Sequence, residues 1–202
     1  MMEQMTRFIS KRNHVFLRDG VVVKRFLSAE LAGTEAKILL RLYEAGVSVP
    51  RVLEQRDNEI ILEYVPGETI PDFLERMEVE RNETALREAV DGLFRWFKNF
   101  YEAVRYAPDG EIRGDVNGRN FIIAGSRVTS VDFEERTFGK AEQDIGRLLA
   151  FIRTYDLGIS IKRHFSRLFE SAVVEGLGMP AREIHKQYRL ERAAMRIRRR
   201  RS

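Results

Sequence analysis

Along residues 6–65 the apolar positions fall in short runs bounded by turn residues, the pattern of strands, with one helical stretch among them. Phe8-Ile9, His14 to Leu17 and Val21 to Phe26 read as strands, with Asp19-Gly20 as a tight hairpin turn. Ser28 to Ala45 reads as a helix stopped by Gly46. Val52 to Gln55 and Glu59 to Val65 form a second hairpin around Arg56-Asp57-Asn58, and Pro66-Gly67 closes the segment. From residue 70 the period becomes helical. Leu86, Val90, Leu93, Phe94, Phe97, Tyr101 and Val104 mark a long amphipathic helix that ends at Pro108-Asp109-Gly110. Phe121-Ile122-Ile123, a turn at Gly125-Ser126, and Val128 to Phe133 make a hairpin inside the helical region. Ile145, Leu148, Leu149 and Ile152 define the next helix, and two more follow, parted by Gly176 to Pro180. The expectation is an α+β chain. A small strand-rich lobe covers 1–66, a mostly helical lobe covers 67–180, and a basic helix or tail covers 181–202.

Composition narrows the classes. The 202 residues are 44% hydrophobic and 33% charged, the balance of a soluble globular chain with room for a sizeable core. With no cysteine, disulfides, thiolate metal sites and cysteine nucleophiles are excluded. No apolar run approaches the roughly 18 residues of a transmembrane segment, and Met1 to Met5 lacks a signal-like apolar region. A cytoplasmic enzyme or binding domain is the expectation. The net charge of +4 is uneven: residues 182–202 hold nine Lys/Arg against Glu183 and Glu191, which leaves the rest of the chain slightly acidic. Any argument about polyanionic partners belongs to that terminal segment.

Two features depart from the pattern. Glu35 sits on the apolar face of its helix with Leu31, Ile38, Leu39 and Leu42, where an unpaired carboxylate is costly. Lys24, mid-strand in Val22-Val23-Lys24, is the nearest candidate partner. The alternative is that both side chains reach solvent along their apolar stems. The second feature is Arg113-Gly114-Asp115-Val116-Asn117-Gly118-Arg119-Asn120, followed by a hairpin whose returning strand ends in Val131-Asp132-Phe133. That hairpin is expected to gather Asp115, Asn120 and Asp132. Their oxygen atoms suit Mg²⁺, which binds through one or two protein groups plus substrate phosphates. The remaining carboxylate, Asp115, can orient a hydroxyl or accept its proton. Read blandly, Asn117-Gly118 and Arg119-Asn120 are ordinary turn residues.

In this order the features resemble the protein-kinase superfamily over about residues 14–155. The resemblance implies a two-lobed protein-kinase-like fold. Lys24 matches the family's strand lysine and Glu35 its helix partner. Asp115 and Asn120 match the catalytic-loop spacing, and Asp132-Phe133-Glu134 stands where the family has Asp-Phe-Gly. Leu62-Glu63-Tyr64-Val65 resembles the hinge whose backbone holds adenine, which nominates Glu63 and Val65. Asp144 resembles the helix aspartate that braces the catalytic loop. By this resemblance Lys24, held by Glu35, grips the ATP α- and β-phosphates, Asn120 and Asp132 hold Mg²⁺, and Asp115 is the catalytic base or orienter.

The departures are informative. The stretch Ile9-Ser10-Lys11-Arg12-Asn13-His14 has no glycine where protein kinases have a glycine-rich loop, so either the turn is too short to wrap ATP or Lys11 and Arg12 reach phosphate. His14 reads as a strand residue, and nothing recommends His164 or His185. Gly114 stands where regulated kinases carry arginine, Arg113 where they carry histidine, and Asn117 where they carry lysine, with Arg119 available to compensate. Eleven residues separate Asp132 from Asp144, too few for a peptide-docking activation segment. The Gly-Asp-x-x-x-x-Asn form resembles aminoglycoside and choline phosphotransferases, lipopolysaccharide-core sugar kinases, and the small kinase subunit of the KEOPS tRNA-modifying complex. The last is similar in length, in the stretch from Thr34-Glu35-Ala36 to Pro50, and in its basic tail. The resemblance implies an ATP- and Mg²⁺-dependent phosphotransferase acting on a hydroxyl of a protein partner or small molecule. An ATP-binding or ATPase scaffold of a tRNA-modifying assembly and a lipopolysaccharide-type sugar kinase are its alternatives. In the tail, Arg189, Arg192, Arg196 and Arg198 to Arg201 suit RNA phosphates or an anionic surface, or else form a fraying, solvated helix end.

Overall fold

The computed structural model describes residues 6–8, 13–105, 110–134, 136–156 and 158–201. Ile9 to Arg12, with the phosphate-loop candidates Lys11 and Arg12, and Pro108-Asp109 lie outside the described residues. The chain divides into two compact units, Met1–Pro66 with Thr129–Arg136, and Gly67–Val128 with Thr137–Ser202.

The first unit is built on five antiparallel strands: β1 (Thr6–Phe8), β2 (His14–Arg18), β3 (Val21–Arg25), β4 (Val52–Arg56) and β5 (Glu59–Glu63), in the order β1-β2-β3-β5-β4. Asp19 and Gly20 both take positive φ (49° and 78°), the backbone of a two-residue hairpin that matches strand twist. Lys24 lies in the sheet's central strand, opposite Val15 on one side and Ile60 on the other. Helix α1 (Ala29–Glu44) starts at Ser28, whose hydroxyl accepts the Leu31 N–H, and stops at Gly46 with φ 79°. Its buried face carries Ala32, Ala36, Ile38, Leu39 and Leu42 around Glu35, and it packs on β4 and β5. Leu31, expected on that face, is exposed. β5 ends at Glu63 rather than Val65.

The second unit is mostly helical, with α2 (Ile70–Glu80), α3 (Glu83–Val104), α4 (Ala141–Thr154), α5 (Ile159–Leu177) and α6 (Ala181–Arg201). Between them run short strands: β6 (Glu68–Thr69), β7 (Glu111–Ile112), β8 (Phe121–Ala124) and β10 (Thr137–Phe138), while β9 (Arg127–Ser130) starts in this unit and ends in the first. β6 pairs with β8, and β10 with β7. The apolar stripe of α3 buries Leu86, Val90, Leu93 and Phe97, and an aromatic cluster gathers on it. Trp96 stacks on Phe100 at 5.2 Å and meets Phe121 edge-on at 5.2 Å, and Phe97 lies 5.8 Å from Phe169. Phe121 directly follows Asn120, so this core fixes the end of the loop that begins at Arg113.

One expectation changes here. The returning strand does not run to Phe133: β9 stops at Ser130, whose N–H bonds the Ser48 carbonyl at 3.1 Å, and Asp132 has φ 67°. That left-handed conformation has no place in a strand, and aspartate is among the few residues that tolerate it. The open choice for the basic segment between helix and tail also narrows: α6 is helical through Arg201 and packs on α4. The Tyr188 ring lies 5.2 Å from the Arg153 guanidinium and 5.5 Å from that of Arg192, and Ile184 is fully buried. A Cβ on Gly146 of α4 would come within 2.6 Å of the Gln187 Cβ, so glycine is what permits this close approach.

Candidate active site

In the first unit, a charged cluster forms around Lys24. Its Nζ lies 2.7 Å from Glu35 Oε2, also bonds Asp132 Oδ1, and lies 3.9 Å from Glu134 Oε1. Lys24 is 4% exposed and Glu35 1%, so neither reaches solvent and each serves as the other's counter-charge. Burial works against the Lys24 ammonium, but Glu35 and Asp132 outweigh it and hold its pKa above that of an ordinary lysine. Burial likewise pushes the Glu35 carboxyl up, with Lys24 and the Phe133 N–H pulling the other way. Glu35 Oε1 accepts that N–H at 3.3 Å, so one carboxylate holds both the lysine and the backbone beside Asp132. Asn13, buried directly ahead of β2, donates to Glu134 Oε1 at 2.6 Å. The three consecutive residues 132–134 are thus each held, by Lys24, Glu35 and Asn13 in turn.

In the second unit, a loop cluster centres on Asp115. Asn120 Nδ2 donates to the Asp115 carbonyl at 3.2 Å and to its Oδ2 at 3.0 Å, and Asn117 Nδ2 donates to Oδ1 at 3.1 Å. Asp115 itself is exposed. The loop is held from below by Asp144, fully buried in the first turns of α4. Its two oxygens accept the N–H groups of Arg113 at 2.7 Å and Gly114 at 2.9 Å. The Tyr101 hydroxyl lies 3.0 Å from Asp144 Oδ2, and Arg147 donates to the Gly114 carbonyl at 3.2 Å. Burial raises the Asp144 carboxyl pKa, partly offset by those two N–H groups and the Tyr101 hydroxyl. Burial and the Asp144 charge together push the Tyr101 phenol well up. Gly114 has φ 81°, and a Cβ there would meet Thr137 Oγ1 at 2.3 Å, a physical reason for glycine beside Asp115.

The structure therefore brings Lys24, Glu35 and Asp132 together in one cluster, and Asp115 and Asn120 in another that Asp144 supports. Glu63 ends β5 with its N–H on the Arg51 carbonyl, and Val65 lies beyond the strand. His164 pairs with Glu83 at 2.9 Å and His185 with Glu170. The sequence reading missed Asn13, Glu134, Tyr101 and Arg147. For Tyr101 a signal existed: a phenol on an apolar helix face needs a hydrogen-bond partner.

Among the described residues no three His, Asp or Glu side chains converge as a self-sufficient metal cage. The donor chemistry still fits Mg²⁺. Asn120 directs its amide nitrogen to Asp115, which leaves the amide oxygen as the atom able to take a cation, and Asp132 offers a carboxylate that is 38% exposed. Each, within its own unit, is a hard oxygen donor of the kind Mg²⁺ takes alongside phosphate.

The fold is that of the protein-kinase-like phosphotransferases. The aminoglycoside phosphotransferase APH(2'')-Ib, crystallised with ADP, superposes on 91% of this chain and 81% of its own with a TM-score of 0.65 at 15% identity. A choline/ethanolamine kinase family protein from Mesorhizobium loti covers 96% and 88%, with a TM-score of 0.51 at 15% identity. Within that class the chain belongs to the RIO domain family, whose pattern matches residues 3–149. Two further proteins are similar in sequence. The KEOPS complex subunit Bud32 of Pyrococcus abyssi is 33% identical over 101 residues, 49% of this chain and 41% of that protein. A "Probable serine/threonine-protein kinase BUD32 homolog" of Archaeoglobus fulgidus is 29% identical over 115 residues, 55% of this chain and 49% of that one. The matched part thus spans less than half of either relative. The resemblance drawn from Lys24, Glu35, Asp115, Asn120 and Asp132 to compact, atypical kinases agrees with these findings.

Proposed function

We propose that the chain is an ATP- and Mg²⁺-dependent phosphotransferase that moves the γ-phosphoryl group to a hydroxyl of a protein partner or small molecule. The observation that carries the reading is the Lys24 ammonium, buried in the central strand and fixed by Glu35 and Asp132. A lysine held in this way by a helix glutamate is the arrangement that phosphate binding in kinases uses. Lys24 grips the ATP phosphates, and Glu63 and Val65 border the adenine. Asn120 and Asp132 hold Mg²⁺, which when bound neutralises charge on the phosphate oxygens. Asp115 takes the acceptor hydroxyl's proton as its oxygen bonds to the γ-phosphorus and the bond to the ADP oxygen breaks. Asp144 acts through backbone, holding Arg113 and Gly114 so that Asp115 keeps its place.

A second reading has its own support. The Bud32 relative is named as a KEOPS complex subunit, so an ATP-binding or ATPase role within a larger assembly fits the same residues. ATP turnover by the purified chain separates the two. Asp115→Asn should lower phosphate transfer to an acceptor by about 10²–10⁴-fold, the usual contribution of a positioned base. ATP turnover that needs a partner protein and yields only free phosphate would favour the assembly reading.

A further inference from the structure

We infer that the outer face of α6 is a docking surface for an anionic lipid bilayer. The helix has two sides. The inner side is committed to α4 through Ile184, Tyr188 and Glu191. The outer side presents Arg182, Lys186, Arg189 and Arg196, all exposed and three or four residues or one heptad apart, so they line a single ridge. Among the described residues no acidic side chain pairs with Arg182, Arg189 or Arg196, and Lys186 meets Glu183 only at 3.8 Å. From Arg182 to Arg196 the ridge is about 21 Å long at 1.5 Å per residue.

The occupant follows from what lies beside the cations. Leu190 is 57% exposed and Ile197 53%, one heptad apart along the edge of the same ridge. Side chains of this kind gain from entering the headgroup boundary of a bilayer and gain nothing from a phosphodiester backbone. Nucleic acid is further disfavoured because Tyr188, the one aromatic of α6, lies between Arg153 and Arg192 and is not offered to a base. A second copy meeting this face would set like charges against each other. A straight cationic ridge with an apolar edge suits a flat, negatively charged plane.

The test is co-flotation of the full chain with vesicles of phosphatidylcholine containing one quarter phosphatidylserine, beside vesicles of phosphatidylcholine alone. The expected result is binding to the anionic vesicles only, lost in 0.5 M salt and reduced at least tenfold by Arg189→Glu with Arg196→Glu. Leu190→Ser with Ile197→Ser should weaken binding to the same vesicles several-fold without changing net charge. All four positions are exposed, and an unchanged melting temperature checks that the variants fold. Equal binding to both vesicle types, no binding to either, or insensitivity to the Leu190 and Ile197 changes overturns the inference. So does salt-sensitive binding of a single-stranded RNA oligonucleotide, lost in the arginine variant, without vesicle binding.

Discussion

Asn13 Nδ2 donates to Glu134 Oε1 at 2.6 Å, tying the residue directly ahead of β2 to the segment that carries Asp132. Protein kinases close over phosphate with a glycine-rich loop. This chain has no glycine from Ile9 to His14, and Asn13, directly ahead of β2, makes a charge-assisted hydrogen bond to Glu134. Such a bond to a charged group contributes about 1.5–3 kcal/mol. Asn13→Ala should therefore raise the KM for ATP by about tenfold with a smaller change in kcat. Asn13→Asp, which faces Glu134 with a like charge, should raise it further. Steady-state kinetics on the two variants check this, and an unchanged KM in both counts against it.

The Lys24–Glu35 pair gives a stability test independent of activity. Removing one partner of a buried pair leaves the other charge uncompensated, at about 3–5 kcal/mol. Lys24→Met, which strips the buried Glu35 of its cation, should destabilise the fold by that order, and Glu35→Leu by less, because Asp132 still faces the ammonium. The double variant should cost clearly less than the two added together. Urea unfolding of the four proteins measures it, and simple additivity would show that the pair is not coupled.

Gly114 makes a sharper local prediction. Its φ of 81° and the approach of Thr137 Oγ1 leave no room for a methyl group. Gly114→Ala should cost at least about 1–2 kcal/mol from the left-handed backbone alone. It should also lower kcat more than KM, since the displaced residue adjoins Asp115. A variant with wild-type stability and kcat would mean that the loop tolerates the side chain.

The pH dependence follows from Tyr101 and Lys24. Both have folded-state pKa values raised above the unfolded ones, so the folded chain keeps protons that the unfolded chain releases above about pH 10. Their contributions are complete below that pH and fall as pH rises. Stability should therefore drop steeply on the alkaline side. Tyr101→Phe should lose about 1 kcal/mol at neutral pH, for the bond to Asp144, yet show a shallower alkaline fall. Urea midpoints from pH 7 to 11 in both proteins decide it, and parallel curves would contradict the assignment.

Much of this was legible in the sequence because charges on apolar faces stand out. Lys24 among valines and Glu35 among leucines break a hydrophobic period, and the spacing from Asp115 to Asn120 is local. What escaped was non-local or too short to have a period. Asn13 and Glu134 lie 121 positions apart with no pattern linking them. β7 and β10 have two residues each, below the length at which alternation shows. Asp132 reads as a strand end because its left-handed backbone leaves no trace in composition. In α6 the arginine count hid the packing face, since Tyr188 and Glu191 do their work through neighbours on α4.

The most direct measurement is the affinity for ATP with and without Mg²⁺, by titration calorimetry, in the wild type and in Asp132→Ala. Mg²⁺ should tighten ATP binding at least tenfold in the wild type, and this gain should vanish in the variant while the fold persists. A variant that keeps the full Mg²⁺ gain, or a wild type that never shows one, would contradict it.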